Sequence, residues 1–515
     1  MYHKQAFMVR MIGVALFAAS IVSADVGLKT VNEDISLGVT GDASMQAGQA
    51  ENYYYKDATE YNHQWIQDNL LHLGVDASYD KKLQIKVTIE GRLWYSLPDQ
   101  SGKTTGQAYA LYDKTFTYSL YEACGTYLFN NLLGSPLSLS ITAGLFRYKY
   151  NPEVRNLGEY LFRSLCYPAV LINYFDQTDA RLAGIKFSGD LPLAEDFLKF
   201  HGDLMLTFET ENYPFFDATP SFIGNCKIGN FLDVGLGVSL YHLFPVNQSL
   251  TRPETDPRNL YIKNGNAYFY TYGGTKLMAR FTFDPKEILK YIGAEEITSF
   301  FGKEDIKIYS EAAILGLENY PANDSVNSPQ QNKGNLWGYD TLSHKIPVVM
   351  GFNWPTHPLL SSALGPGIAA YFINKNKINI PTVSWGAAGI ASGVGLWFLE
   401  NNLQKKFRLD LLNLEFEWYG CSYPMNLANA VRLGGQYAYP IPAEYNKPLS
   451  WYTSDNWKWS VYAKKMLANN HLSIILQFAR DHMRFQHILD EPKVYEEALV
   501  RPNDWWWTTK VAWLF

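Results

Sequence analysis

The sequence predicts an all-β fold, a transmembrane antiparallel β-barrel of about sixteen strands. Three observations carry that prediction. Segments of about nine to fifteen residues recur with one apolar and one polar face, longer than the five or six residues usual in soluble sheets. The connections between them mostly alternate between short turns and long polar loops. Charged residues make up 18% of the chain and aromatics 15%, and no Pro/Ser-rich linker or composition break divides it into soluble domains.

The N-terminus is expected to leave the fold. Lys4 and Arg10 precede an apolar stretch at 11–21, and Val22-Ser23-Ala24 supplies the small residues of a signal-peptidase site. That stretch is too short for a spanning helix, which needs about 20 residues. Residues 1–24 therefore read as a secretory signal peptide and 25–515 as the barrel. Removing the signal takes away Lys4 and Arg10 and no acid, so the formal net charge moves from −6 to −8. This acidic balance disfavours nucleic acid as a partner and weakly favours cations in an enclosed space.

The predicted strands fall at 34–46, 65–79, 83–96, 113–129, 137–150, 179–190, 201–212, 220–229, 232–243, 267–283, 305–319, 344–354, 409–420, 456–468, 472–486 and 505–515. In 83–96, Leu83, Ile85, Val87, Ile89, Gly91, Leu93 and Tyr95 alternate with Gln84, Lys86, Thr88, Glu90, Arg92 and Trp94. An Asp80-Lys81-Lys82 turn joins it to 65–79, where Leu71, Leu73, Val75 and Ala77 alternate with His72, Gly74, Asp76 and Ser78. Val234, Leu236 and Val238 oppose Asp233, Gly235 and Gly237 in 232–243. Leu412, Leu414, Phe416 and Trp418 oppose Asn413, Glu415 and Glu417 in 409–420. An apolar face that ends in aromatics suits the outside of a barrel in lipid, and an even strand count puts both chain ends on one side.

Two connections on the short-turn side are longer. Residues 284–305 read as an amphipathic helix. Residues 356–408 form a larger insertion with apolar runs at 359–373 and 385–399 and a small-x-x-x-small pair, Gly389 and Gly393. A helical hairpin under the barrel or at the lipid interface is the simpler reading of the insertion, and a plug or docking element is the alternative.

The chain ends in "DWWWTTKVAWLF". Counting back by twos from Phe515 gives Trp513, Val511, Thr509, Trp507 and Trp505 on one face. This pattern resembles the C-terminal β-signal of Gram-negative outer-membrane proteins. The resemblance implies that Trp507, Val511, Trp513 and Phe515 are read by the barrel-assembly machinery. It also implies the outer membrane as the location and its lipid as a partner.

Motifs of covalent chemistry are missing. There is no Gly-x-Ser-x-Gly, His-Glu-x-x-His or P-loop, and His482 and His487 fall on opposite faces of a predicted strand. None of the four cysteines forms a Cys-x-x-Cys, so no zinc site is expected. Cys166 and Cys421 both lie in predicted loops and can pair in an exported chain, or remain free thiols. The expected chain is not an enzyme and needs no cofactor.

Strand counting places 151–178 in the third long loop. Its start, "YNPEVRNLGEYLFRS", reads as a short helix. Asn151 can cap it, Pro152 suits the first position, and Val154, Leu157, Leu161 and Leu165 follow at helical spacing. The passage "TAGLFRYKYNPEVRNLGEYLFRS" resembles the strand-to-loop passage of the phosphate-selective porins through Gly144, Phe146, Arg155-Asn156-Leu157 and Phe162-Arg163-Ser164. Those porins line the pore with many arginines and lysines, whereas this chain is net acidic, so phosphate specificity is not carried over. In general porins the third loop folds inward and narrows the channel. The resemblance thus implies that Glu153, Arg155, Glu159 and Arg163 face a constriction; the alternative is an outer loop helix with solvated charges. Lys86, Glu90, Arg92, Lys276, Arg280, Glu415 and Glu417 project to the polar face in this register and are the expected pore lining.

The expected function is a porin-like channel for passive diffusion of small hydrophilic solutes, since about sixteen strands leave an aqueous interior. Analogy with sixteen-stranded porins adds a homotrimer. A second reading is a non-conducting barrel whose outer loops, rich in Tyr53, Tyr54, Tyr55, Tyr439, Tyr445, Trp451 and Trp457, bind glycan or a surface partner. An interfacial girdle is the simpler role for those aromatics. A third reading is a soluble exported β protein.

Overall fold

The computed structural model describes residues 29–30, 34–51, 53–55, 59–61, 64–96, 116–129, 136–163, 180–194, 197–210, 215–251, 260–263, 266–269, 273–294, 298, 301–315, 317, 343, 346–357, 408–418, 457–481 and 503–515. Sixteen strands form its wall. They are β1 Ile35–Glu51, β2 Gln64–Tyr79, β3 Leu83–Ser96, β4 Phe116–Phe129, β5 Ser138–Tyr148, β6 Ala180–Leu193, β7 Leu198–Phe208 and β8 Ala218–Ile228, followed by β9 Leu232–Tyr241, β10 Gly274–Phe283, β11 Ile308–Ile314, β12 Val348–Asn353, β13 Leu411–Trp418, β14 Trp457–Leu467, β15 Leu472–Arg480 and β16 Trp505–Leu514. Each pairs antiparallel with its sequence neighbour, and β1 also pairs with β16 from Asp42↔Leu514 to Glu51↔Trp505. The ring is closed. Closure leaves no sheet edge, which is what a strand structure needs in lipid, where an unpaired backbone group costs several kcal/mol.

All sixteen strands correspond to predicted ones, with shifted ends. The largest shift is at β10, expected from 267 but starting at Gly274, because Asn266–Phe269 pairs with Leu260–Lys263 in a separate hairpin. The β2–β3 turn closes with Asp80 and Lys81 at φ 49° and 52°, and Lys82 N donates to Tyr79 O at 3.0 Å. Two positive φ angles match the right-handed twist of the flanking strands.

The wall is apolar outside and polar inside, the reverse of a soluble protein. On β2, Leu73 is 48% exposed while His72 beside it is 6% exposed. Leu71, Val75, Ile85, Val87 and Ile89 share the outer face; Asp68, Thr88, Glu90 and Arg92 share the inner one. An apolar band of this extent is stable against hydrocarbon and not against water. The last strand obeys the same parity, with Trp506 and Thr508 buried inside and Val511 exposed outside. Phe515 N and O bond Gly41 O and N, each at 3.0 Å, so the chain end is fixed to β1.

Three short helices are described: α1 Tyr160–Arg163, α2 Gln248–Thr251 and α3 Pro285–Tyr291. Neither predicted helical stretch is one continuous helix. In 284–305 a first helix covers Pro285–Tyr291, capped by the Asp284 carboxylate on Lys286 N and ended by Gly293 at φ 80°, and Thr298 is again helical. In 150–164 only α1 is helical, because Gly158 at φ 88° and Glu159 at φ 63° turn the backbone into the left-handed region. The insertion is described only at its ends, where Thr356 Oγ1 and Arg408 Nη2 both donate to the Asp305 carboxylate. Its apolar runs, Cys166 and Cys421 lie outside the described residues.

Candidate functional site: the segment 150–162 and the inner wall

β5 ends at Tyr148, whose hydroxyl donates to Asp203 Oδ2 at 2.6 Å. Most of the residues that follow are buried, Pro152 being exposed and Glu153 and Arg155 partly so. Val154, Leu157 and Tyr160 are 0% exposed and Leu161 is 2% exposed. They pack with Met205, Ile223, Met278, Tyr309, Ala313 and Val349, which come from the inward side of β7 to β12, and with Leu315 just after β11. Gly237 on β9 makes room for this contact. A Cβ there would lie 2.9 Å from Met278 Cε and 3.2 Å from Leu161 Cδ2. The spacing of Val154, Leu157 and Leu161 thus reflects burial against a wall and not a helix face.

The polar half of the segment is held by two glutamates. Glu415 on β13 accepts from the backbone amides of Arg155 at 2.5 Å, Asn156 at 2.9 Å and Leu157 at 2.9 Å. It also accepts from the Tyr309 hydroxyl at 2.6 Å. Glu311 on β11 accepts from the amides of Glu159 at 3.1 Å and Tyr160 at 2.8 Å, from Asn151 Nδ2 at 3.0 Å and from the Tyr150 hydroxyl at 2.5 Å. Tyr160 donates its hydroxyl to Glu417 at 2.5 Å, and Asn156 Nδ2 donates to Asp481 at 2.8 Å. These carboxylates take the amides that a helix would have paired internally.

Three of the four expected constriction residues, Glu153, Arg155 and Glu159, have described side chains. Glu153 bonds Lys307 Nζ at 3.2 Å, and Lys307 also bonds Glu304 at 2.8 Å. Burial opposes the charge on Lys307, but Glu153 and Glu304 outweigh it and raise its pKa. Arg155 Nη1 donates to Pro152 O at 3.2 Å. Glu159 is 1% exposed and accepts from Asn151 N at 2.9 Å, so it stabilises the segment's own bend. The side chain of Arg163 lies outside the described set.

The expected lining residues all sit on the inward face, in different company. Glu415 and Glu417 are 0% exposed, against the segment. Arg92 makes a two-pronged pair with Asp68, 2.8 Å on each arm. Glu90 bonds His72 Nε2 at 3.1 Å, whose Nδ1 meets Asp42 at 3.0 Å. The His72 ring stacks on Tyr121 at 4.1 Å, and the Arg147 guanidinium lies 4.9 Å from the same Tyr121 ring. Lys276 lies over the Tyr241 ring at 5.2 Å, and Arg280 donates to Asn225 at 3.0 Å. Lys86 pairs with Glu122 at 2.9 Å and has 43% of its side chain exposed.

Sequence reasoning did not single out Glu311, Tyr309, Tyr160 or Asp481, and Asn156 entered it only through the Arg155-Asn156-Leu157 resemblance. Glu311 had a usable signal. It is an acid inside "IYSEAAI", in phase with Tyr309 and Ala313, and so on the inward face by period two. Among the described residues, no group of three or more His, Cys, Asp or Glu is arranged to hold a metal.

No protein-family model matches the sequence, and no curated protein matches it. Among solved structures, the chain is similar to a tryptophan-substituted mutant of the Rh. blastica porin, with 5% identity and a TM-score of 0.38, over 93% of this chain and 100% of that one. A triple mutant of the Rhodopseudomonas blastica porin has 4% identity and a TM-score of 0.37, over the same shares. Salmonella typhi OmpF in complex with daunomycin has 8% identity and a TM-score of 0.39, over 93% of this chain and 98% of that chain.

Proposed function

We propose that this protein is a porin-like outer-membrane channel through which small hydrophilic solutes diffuse passively, and that the segment 150–162 narrows it. The inside-out polarity of the closed wall supports a barrel seated in lipid. The observation that carries the narrowing is the set of bonds from 150–162 to Glu311, Glu415 and Glu417, all on inward faces of strands far along the ring from β5. A segment tied to those strands occupies cross-section that solute would otherwise use. The charged inner wall acts as a filter on polar solutes, and the passage involves no covalent step. A cleaved signal, recognition of the last strand by the assembly machinery and a homotrimer belong to the same proposal.

Planar-bilayer recording of the purified protein tests it. Stepwise conductance is expected, and deletion of 153–163 should enlarge the unit step and raise the solute size cutoff. Absence of steps in well-folded protein refutes the channel. Glycan-array binding without conductance would favour the binding-protein reading.

A further inference from the structure

Three consecutive amides, those of Arg155, Asn156 and Leu157, converge on the Glu415 carboxylate. Successive backbone N–H groups aimed at one point form an anion-binding concavity. In most such sites the anion comes from solution. Here a side chain of β13 supplies it. Glu311 fills a second site of the same kind, made by the amides of Glu159 and Tyr160 and by two side-chain donors.

Both carboxylates are 0% exposed, and the donors that reach them are backbone amides, tyrosine hydroxyls and one asparagine amide, all neutral. A buried carboxylate without a cation is costly unless several donors surround it. Each of these two has four donors, and most of them belong to 150–162 or its root. The carboxylates are therefore satisfied only while the segment is seated, and the amides are satisfied only while the carboxylates are there. The apolar contacts with β7 to β12 hold the segment down but carry little directional information.

We propose that Glu415 and Glu311 are positioning residues, resident anions of two backbone sites that fix where 150–162 sits. This rests on the reading of that segment as the narrow point of a channel. It implies that the site of residues 155–157 is a general carboxylate site. Emptied by Glu415→Ala, it should take up a small carboxylate from solution.

The experiment compares wild type, Glu415→Ala, Glu415→Gln and the 153–163 deletion. Unit conductance is recorded with chloride alone and with added sodium formate at constant ionic strength, and hydrogen exchange is followed at residues 155–157 in the same buffers. Glu415→Ala should shift the unit step towards that of the deletion and lose amide protection, and formate should restore both. Glu415→Gln keeps the volume but offers an amide N–H to the backbone donors, so it should shift in the same direction without rescue. Wild-type protection in Glu415→Ala overturns the inference. A loss of protection that formate leaves untouched overturns the anion site. If Glu415→Ala fails to fold, as judged by heat-modifiable migration, wild-type protection in Glu415→Gln overturns the inference instead. A deletion that conducts like wild type refutes the narrowing alone, because the exchange measurement does not depend on conductance.

Discussion

Leu157→Ala should loosen the segment 150–162 while leaving the barrel closed. Leu157 is fully buried and belongs to the apolar cluster that joins the segment to β7 to β12. Truncating such a leucine costs about 2–5 kcal/mol, and the upper end applies where neighbours cannot collapse into the hole. The neighbours here include strand residues such as Val349 and Met278, which the sheet holds in place, so about 3 kcal/mol is a reasonable value. Each 1.4 kcal/mol is tenfold in an equilibrium, so the open population of the segment should rise by roughly a hundredfold. Hydrogen exchange reads this directly, because amides exchange through the opening that frees them. The amides of residues 155–157, 159 and 160 should exchange about a hundredfold faster, while those in β1 to β3 keep their protection. Unchanged exchange at the five amides would refute the claim that the cluster holds the segment. A uniform rise across the barrel would refute the claim that the segment opens as its own unit.

Two further predictions concern the charges. Arg92→Met leaves Asp68, 1% exposed, without its two-pronged partner, and breaking a buried pair in this way costs about 3–5 kcal/mol. The temperature at which the folded band converts on electrophoresis should fall, and pairing Arg92→Met with Asp68→Asn should recover most of the loss; no recovery would argue against a direct pair. Just before β11, Lys307 links Glu153 and Glu304. Burial works against the Glu304 charge, yet Lys307 lowers its pKa overall, so its contribution to stability is present at neutral pH and lost as pH falls through that depressed value. Lys307, with its pKa raised, loses its contribution only as pH rises past the ordinary lysine range. Lys307→Met should therefore lower the conversion temperature at pH 7 and matter less below about pH 4. An equal effect at both pH values would contradict this linkage.

The wall was legible in the sequence because a sheet between lipid and a polar interior imposes period two on every strand. Leu83 to Tyr95 shows it without any tertiary knowledge, and Glu415 and Glu417 could be assigned inward by parity alone. The segment 150–164 was not legible in the same way. Val154, Leu157 and Leu161 satisfy helical spacing, Asn151 and Pro152 look like a helix start, and nothing nearby contradicts a helix except Gly158. What decides the backbone is far away in sequence. Glu311 and Glu415 lie over 150 and about 260 positions on, and they take the amides that local pattern assigns to an i–4 carbonyl. A local reading can detect that a residue wants burial, but it cannot tell which surface buries it.

The interior polarity follows from the same inward positions and is not uniform around the ring. On β1 to β3 they hold Ser44, Gln46, Asp68, His72, Thr88, Glu90 and Arg92. On β7 to β12 they include Met205, Ile223, Met278, Ala313 and Val349. A barrel with a uniformly wet lumen has no use for the second set. Its presence is explained by the segment that covers it, because Leu157, Tyr160 and Leu161 need an apolar seat and those strands supply one. The two features depend on each other: without the segment the seat would expose an apolar strip to water, and without the seat the segment would keep only its polar bonds to the wall. In the channel proposed above, the open path follows the polar inward faces, those of β1 to β3 among them, where Lys86, with 43% of its side chain exposed, pairs with Glu122. On that proposal the polar faces set the filter for a passing solute, while the width is set by how firmly Glu311, Glu415 and the apolar cluster hold the segment on its seat.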